Sequence, residues 1–474
     1  MDRKIWKLAA SVLVVFSVAA CAPFQQYRTV YPEVCISPAQ APSPECETHA
    51  LQQLPSGNGN RYLLGFIEFD DQGQLWDRKQ MWDVVGKLAG EAGTKELLMV
   101  VFVHGWKHSA APGDGNIQTF SKVLAQLSDA EAQIAKLTGT PPREVAGVYL
   151  GWRGGSVTVP LLKELTFWDR KNTAQKVGHG GVTEVLSRLE LIKQDKESTA
   201  PGQSRTRLVV VGHSFGGAVV STALAQILES RFVQTTGPAG IQSDIAGFAD
   251  LVVLINPAIE AMQFAPLSDM ATERGTYFAS QLPAVLELTS EADYATRYAF
   301  PVGRWLSTWF EMTHDRKRWN AVTRQQETID ESDANITAVG HFEPYRTHQL
   351  KPSTVQERAQ LKELSTADSL RQFTQSSADW AQDKPGSKIS FGDVMLERTT
   401  TSAGRNPYLL TYVDKNLITD HNDIDDPRII EFVKQLILIS TQSPEQAKAI
   451  KARPVSIDSG SMEGARQARG APRQ

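Results

Sequence analysis

The sequence predicts an α/β protein with a mostly parallel sheet and helices on both faces. Near-continuous Val/Leu/Ile runs of strand length recur along the chain, and stretches with helical character separate them. Such runs are typical of strands buried on both faces, and intervening helices are the connections that parallel strands need. Because parallel crossovers are right-handed, the helices are expected to cover both sides of the sheet.

The expected elements place a single domain at residues 61–440. Strands are predicted at 61–70, 96–105, 144–152, 206–214, 249–258, 283–290 and 407–415. Helices are predicted at 78–92, 116–137, 172–193, 218–232 and 426–440. A long insertion, 294–405, precedes the last strand, and the polar tail 441–474 is expected to be disordered.

Composition narrows the class of protein but not its function. The 474 residues are 41% hydrophobic and 22% charged, as in ordinary globular proteins, and the formal net charge is −4. This charge balance gives no reason to expect a nucleic-acid partner. The oligomeric state is left open.

The N-terminus has the layout of a secretory signal at residues 1–20. A basic start, "MDRKIWK", precedes the apolar run "LAASVLVVFSVAA", which is too short to span a membrane. Residues 18–21 resemble the lipobox of bacterial lipoproteins, which implies cleavage before Cys21 and lipidation of its sulfur. Ala22 resembles the outer-membrane pattern, so the resemblance implies an exported, membrane-anchored lipoprotein of the bacterial outer membrane. Ordinary cleavage after Ala20 is the alternative.

Residues 21–60 are rich in Pro, Gln, Ser and Gly and are therefore predicted to be a lipidated tether. Cys35 and Cys46 lie within this stretch, eleven positions apart. In an exported chain this pair suggests one disulfide, with two free thiols as the alternative. The spacing is too sparse for a metal site.

The stretch "VVVGHSFGGA" carries the strongest chemical signal. Gly212–Gly216 fits the pattern Gly-x-Ser-x-Gly, directly after a predicted buried strand and at the start of a predicted helix. In that context Ser214 would sit on a sharp, strained turn as a nucleophile, and the glycines would avoid side-chain clashes. The competing interpretation is a glycine-rich turn with an incidental serine.

With this motif the chain resembles the α/β-hydrolase family over residues 61–440, less the insertion. The stretches "FVHGW", "GWRG" and "LVVLINPA" are similar to lipase- and esterase-like members. The segment "VFVHGW" (101–106) resembles the family's oxyanion loop. The resemblance implies that the backbone N–H groups of Phe215 and Trp106 stabilise the oxyanion.

The family order is serine, acid, histidine, and it selects the base. His421, in "ITDHNDIDDP", follows the last predicted strand and precedes the last helix, where the family places its base. The other histidines fit less well. His213 adjoins the serine, and His104 and His108 lie on the segment that resembles the oxyanion loop. His49 and His179 precede the nucleophile, and the insertion contains His314, His341 and His348. His213 is expected to point away from the serine as a packing or structural residue.

Two carboxylates compete for the acid. Asp293 and Glu291 both follow the strand predicted at 283–290, and Asp293 is preferred because the family commonly uses an aspartate some residues past that strand. Its role would be to orient His421 and stabilise the imidazolium. Near His421, four aspartates at 420, 423, 425 and 426 admit a cation site, but their spacing is not that of an EF-hand. Asp425 or Asp426 is expected to cap the last helix instead.

The insertion contains "FPVGRWLSTWFEM" (300–312), in which Val302, Trp305, Leu306, Trp309 and Phe310 share one helical face. This stripe is either a face packed on the domain or a lid in which Trp305 and Trp309 bind acyl chains. We expect a membrane-anchored serine hydrolase that cleaves ester or lipid substrates through an acyl-enzyme, with no cofactor and no metal. A thioesterase, a peptidase or a non-catalytic binding lipoprotein on the same scaffold remain alternatives.

Overall fold

The computed structural model describes residues 23–39, 42–155, 167–237, 240–241, 244–353 and 375–441. Its strands are β1 (Val30–Ile36), β2 (His49–Pro55), β3 (Arg61–Glu68), β4 (Leu97–Val103), β5 (Glu144–Gly151), β6 (Arg207–His213), β7 (Thr236–Gly237), β8 (Gly240–Ile241), β9 (Leu251–Ile255), β10 (Val285–Ser290), β11 (Arg316–Asn320), β12 (Gln325–Ile329), β13 (His348–Pro352), β14 (Lys388–Ser390), β15 (Val394–Arg398) and β16 (Tyr408–Val413). Its helices are α1 (Arg78–Thr94), α2 (Gly115–Thr138), α3 (Phe167–Val177), α4 (Thr183–Thr199), α5 (Phe215–Gln234), α6 (Ala261–Arg274), α7 (Phe300–Ser307), α8 (Glu331–Ile336) and α9 (Pro427–Ser440).

One sheet of 12 strands organises the described chain, in the order β1-β2-β3-β5-β4-β6-β9-β10-β16-β13-β15-β14. Neighbouring strands are parallel except where β2 pairs with β3 and where β15 pairs with β13 and β14. The predicted α/β class, with a mostly parallel sheet, is confirmed, and the order agrees with an α/β-hydrolase fold. The parallel strands from β3 to β16 all end at one edge, called here the carboxyl edge.

An apolar core lies on each face of the sheet, as strands buried on both sides require. Strand β4 shows how the two cores divide, since all seven of its residues are buried. Val101 and Val103 join the core that includes α1, α4 and α5. Val100 and Phe102 join the opposite core, which includes α2 and α9. Helices therefore cover both faces.

The prediction of a tether over residues 21–60 is wrong for its described part. Strands β1 and β2 extend the sheet beyond β3. A disulfide joins Cys35, in β1, to Cys46, in the connection between β1 and β2. Proline is tolerated in an edge strand because one side of that strand needs no ladder hydrogen bonds, so the Pro-rich composition did not exclude a strand. The fold therefore starts well before residue 61.

The prediction of one continuous insertion over 294–405 is also wrong in part. Strand β13 pairs in parallel with β16, and β15 and β14 continue the sheet from there. These segments cover the edge that β16 would otherwise expose. Helices α7 and α8 and the β11–β12 hairpin are additions outside the sheet.

The helix predicted at 172–193 is interrupted. Helices α3 and α4 are separated by a π-helical segment at Gly178–Val182, in which Gly180 has non-helical backbone angles. The backbone of Gly73 packs against this point, since a Cβ on Gly180 would lie 2.3 Å from the Gly73 oxygen. Contact with a neighbouring loop thus overrides local helix preference.

Within the described ranges, no helix combines the length and hydrophobicity that a membrane span needs. The signal at 1–20, Cys21 and residues 442–474 of the tail lie outside the described residues. Lipidation of Cys21, export and the outer-membrane location therefore stay predictions.

Candidate active site

Ser214 lies on the sharp turn between β6 and α5 at the carboxyl edge. Its backbone angles, φ 56° and ψ −121°, are in a region that side-chain-bearing residues rarely adopt. Such strain costs on the order of 1–3 kcal/mol and persists where the surroundings enforce it. A Cβ on Gly216 would lie 2.0 Å from the Val103 oxygen, and one on Gly212 would lie 2.6 Å from the Gly216 oxygen. The glycines of the motif are thus required by close backbone contacts.

The structure brings together the three residues that the sequence nominates as a triad. The distance from Ser214 Oγ to His421 Nε2 is 2.6 Å, and the distance from His421 Nδ1 to Asp293 Oδ2 is 2.8 Å. Ser214 follows β6, Asp293 follows β10, and His421 lies between β16 and α9. Residues up to 207 positions apart therefore form one hydrogen-bonded chain.

Asp293 is fully buried, and its other contacts hold it as a carboxylate. Burial by itself would raise its pKa, but the hydrogen bond and charge of His421 and the hydrogen bonds of Thr296 outweigh that, so the pKa of Asp293 is below its usual value. The Thr296 N–H donates to Oδ1 at 3.1 Å, and the Thr296 hydroxyl donates to Oδ2. The competing candidate Glu291 uses its backbone instead, donating to Val413 and accepting from Arg297.

The residues that support the Asp293 carboxylate could not be predicted from local sequence patterns. His341 Nε2 lies 3.0 Å from the Thr296 hydroxyl oxygen. Because that hydroxyl gives its proton to Asp293, it accepts a hydrogen bond from His341. A histidine set aside as part of the insertion thus supports the acid indirectly. Only the fold reveals this contact, since 45 positions separate the two residues.

Two buried side chains hold the backbone carbonyl of His421. His213 Nε2 and Asn256 Nδ2 each lie 3.0 Å from that oxygen and both donate to it. The Asn256 Oδ1 accepts a hydrogen bond from the Ser290 N–H at 2.9 Å, so Asn256 links the His421 carbonyl to the end of β10. His213 therefore has a structural contact, one of the two roles expected for it. Although its ring does not contact the serine hydroxyl, it positions the loop that carries His421.

The loop expected to supply an oxyanion donor lies against Ser214. A Cβ on Gly105 would lie 2.7 Å from the Ser214 Cβ, and the rings of Trp106 and Phe215 have centroids 6.5 Å apart. Phe215 is the first residue of α5, so its N–H is at a helix N-terminus, which favours negative charge. The two proposed donors thus belong to residues beside the serine.

His104 and Trp152 hold the 101–106 segment against the end of β5. The Trp152 N–H donates to His104 Nε2, and the indole N–H donates to the His104 carbonyl, both at 3.0 Å. Burial lowers the pKa of His104 to about 4 and that of His213 to about 3, so both rings are neutral near pH 7. The stretches "FVHGW" and "GWRG" therefore stabilise each other, a role that the sequence did not reveal.

The aspartates around His421 shape the loop. Asp426 caps α9 by accepting from the Arg428 N–H at 2.8 Å, as expected. Asp420 accepts from the Asn422 and Asp423 N–H groups, at 2.6 and 3.0 Å. In the described part of the chain, no group of three or more His, Cys, Asp or Glu side chains is arranged to hold a metal ion.

The stripe at 300–312 is exposed, which contradicts the packed-face alternative. Trp305 and Trp309 are 51% and 62% exposed, and their ring centroids are 4.7 Å apart. Helix α7 ends at Ser307, so Trp309 and Phe310 lie in the turn after it instead of on a helix extending to 312. Pro301 stands in the first turn of this helix, where a proline is tolerated because its missing N–H has no intrahelical partner there. The side chain of Leu306 is outside the described set.

We expect the hydrogen bond from His213 to matter for turnover. His213→Leu removes the donor and lets the His421 loop shift, which should lower kcat roughly ten- to a hundredfold with little change in KM, since small displacements of reacting groups are costly. His213→Gln places an amide donor at similar reach and should recover most of kcat. Steady-state kinetics on a soluble ester, with melting temperatures, test this. Equal impairment of the two variants would contradict the positioning role.

Comparison with known proteins finds a weak structural likeness to one phospholipase. No family model matches it, and no curated protein does. A solved structure of phospholipase PlaB from Legionella pneumophila is 12% identical, covering 75% of this chain and 62% of that chain, with a TM-score of 0.28. A second, of the same phospholipase in complex with thio-NAD, is 13% identical and covers 54% and 46%, with a TM-score of 0.21. The chain spans less than two thirds of either length, and likeness at these TM-scores carries no functional argument.

Proposed function

We propose that the protein is a serine hydrolase that cleaves carboxylic esters through an acyl-enzyme on Ser214. One observation carries the proposal, namely the continuous hydrogen-bonded chain from Ser214 Oγ through His421 to the buried carboxylate of Asp293. A serine hydroxyl becomes a useful nucleophile only when an oriented base takes its proton. The strained turn that presents Ser214 supports the same role.

In the proposed reaction, Ser214 Oγ attacks the ester carbonyl carbon while His421 Nε2 takes the hydroxyl proton. Asp293 accepts the Nδ1–H of His421, which fixes the tautomer and stabilises the imidazolium. As the tetrahedral intermediate collapses, His421 gives the proton to the leaving alkoxide. Water then attacks the acyl carbonyl carbon while His421 Nε2 takes its proton. When the second tetrahedral intermediate collapses, the bond to Ser214 Oγ breaks, His421 returns the proton to Oγ, and the carboxylic acid leaves.

The negative oxygen of the intermediate would be stabilised by the N–H groups of Phe215 and Trp106. Each such donor is worth about 3 kcal/mol of transition-state stabilisation, because it is in place before the charge develops. These are backbone groups, so replacing either side chain does not remove the donor.

We also propose that the substrates are lipid-like esters and that Trp305 and Trp309 contact the acyl chain. The pair offers a large exposed aromatic surface shortly after Asp293 in the chain. An acyl group on Cys21 would keep the enzyme at the membrane where such substrates lie.

The substrate proposal predicts a chain-length effect. Trp305→Ser combined with Trp309→Ser should lower kcat/KM for long-chain p-nitrophenyl esters on the order of tenfold, through lost apolar burial, and leave acetate esters nearly unaffected. Because both rings are already exposed, the melting temperature should change little. Trp82→Ser on α1, where the ring is 46% exposed, is the matched control. An equal loss for all chain lengths would exclude the acyl-chain contact.

A further inference from the structure

A run of exposed apolar side chains follows Asp293 along the chain. This apolar strip consists of Tyr294, Tyr298, Val302, Trp305, Trp309, Phe310 and Met312, each more than half exposed. Phe310 and Met312 are 94% and 96% exposed, so the rest of the protein scarcely covers them. Exposed large apolar side chains concentrated in one segment indicate an interaction site.

The apolar strip begins beside the active site. Tyr294 is the residue after Asp293, at the carboxyl edge, and it starts a π-helical segment that leads into α7. The Tyr294 and Tyr298 rings have centroids 5.2 Å apart. Trp305 and Trp309 form a second pair, edge to face, with centroids 4.7 Å apart, so the strip carries two pairs of aromatic rings.

The start of the described chain is fixed at the same edge. The N–H groups of Tyr27 and Arg28 donate to the carboxylate of Glu68, the last residue of β3, at 2.9 and 2.8 Å. The Phe24 ring lies 4.8 Å from that of Trp76 and 5.2 Å from the guanidinium of Arg153, which follows β5. The described chain therefore begins, at residue 23, close to the carboxyl edge, and the predicted lipidation site Cys21 precedes it by two positions in the sequence.

We propose that the apolar strip docks on the surface of a phospholipid bilayer, so that the carboxyl edge and Ser214 face the membrane. This rests on the proposed function in naming the lipid surface as the partner of that site. Trp and Tyr rings favour the membrane–water interface. A lipid anchor at Cys21 would hold the chain at the membrane without orienting the folded domain, so an apolar contact elsewhere is what would turn one edge of the sheet towards the lipid.

The charges beside the strip favour a zwitterionic surface. Arg297 and Lys317 are exposed there, but so are Glu311 and Asp315. Because the two signs balance, attraction to anionic lipid is not expected to drive docking. We therefore expect phosphatidylcholine vesicles to suffice.

A lipid-borne quencher tests the orientation in the full chain. A bimane label on Phe310→Cys should be quenched by vesicles of doxyl-phosphatidylcholine several-fold more than a label on Val233→Cys. Val233 is 60% exposed near the end of α5, a helix of 20 residues that leads away from the carboxyl edge, which makes it the matched control. Equal quenching at both sites, or none at residue 310, would overturn the proposal.

A second experiment, which compares hydrolysis of a vesicle-borne ester with that of a soluble ester, separates docking from catalysis. Phe310→Ser with Met312→Ser should lower hydrolysis of a long-chain ester presented in phosphatidylcholine vesicles on the order of tenfold, because the lost side chains weaken docking. Hydrolysis of a soluble acetate ester should be unchanged. If the double variant instead dissolves a dimer and leaves vesicle hydrolysis intact, a second copy is the partner and the proposal fails. Quenching at residue 310 without ester hydrolysis would contradict the proposed function alone.

Discussion

Ser214→Ala is expected to lower kcat for a soluble ester by roughly five to six orders of magnitude, since the nucleophile and its proton transfer are lost together. His421→Ala should cost a similar factor, and the double variant should be little worse than either single one, because the two residues act as a unit. The native fold should persist, as the close backbone contacts of Gly212 and Gly216 maintain the turn. Kinetics and melting temperatures of the three variants check this.

Ser221→Ala is the matched control. It makes the same serine-to-alanine change on helix α5, which follows Ser214, and leaves the Ser214 hydroxyl in place. It should retain near-normal turnover. Additive losses in the Ser214 and His421 double variant would mean that the two side chains act independently. Near-normal turnover of His421→Ala would remove it as the base.

Asp293→Asn should lower kcat by about three to four orders of magnitude while preserving the shape of the site. The amide would present a donor to His421 Nδ1, which forces the ring into the tautomer that carries its proton on Nε2 and cannot accept from Ser214. Thr296 can still donate to the remaining oxygen, so the loss should appear in kcat more than in stability. The pH profile of kcat is the accompanying measurement.

Glu291→Gln is the control for this prediction, since it changes the competing carboxylate two positions away. It should have little effect. The opposite ranking of the two variants would assign the role of the acid to Glu291.

Chemistry carried by local motifs could be predicted from the sequence. The Gly-x-Ser-x-Gly turn needs only a buried strand before it and a helix after it, and both leave clear hydrophobic patterns. His421 and Asp293 could be selected because the ends of parallel strands meet at one edge. The central strands β3, β4, β5, β6, β9 and β10 could be predicted because strands buried on both faces are long and apolar.

Features that depend on distant contacts were missed. Strands β1 and β2 contain prolines and few apolar runs, so they resemble a linker until their pairing with β3 is known. The contact of His341 with Thr296 and that of Asn256 with the His421 carbonyl join residues far apart in the chain. No local pattern marks a side chain whose partner is a backbone carbonyl elsewhere.

Labelling by a fluorophosphonate probe tests the central claim most directly, because the probe reacts only with a serine activated by its base. The account predicts stoichiometric labelling of the native protein, with the phosphonate mapped by mass spectrometry to the peptide containing Ser214. The Ser214→Ala variant should not be labelled, and heat-unfolded protein should not react. Absence of labelling in the folded protein, or labelling that persists in Ser214→Ala, would contradict the assignment of Ser214 as the nucleophile.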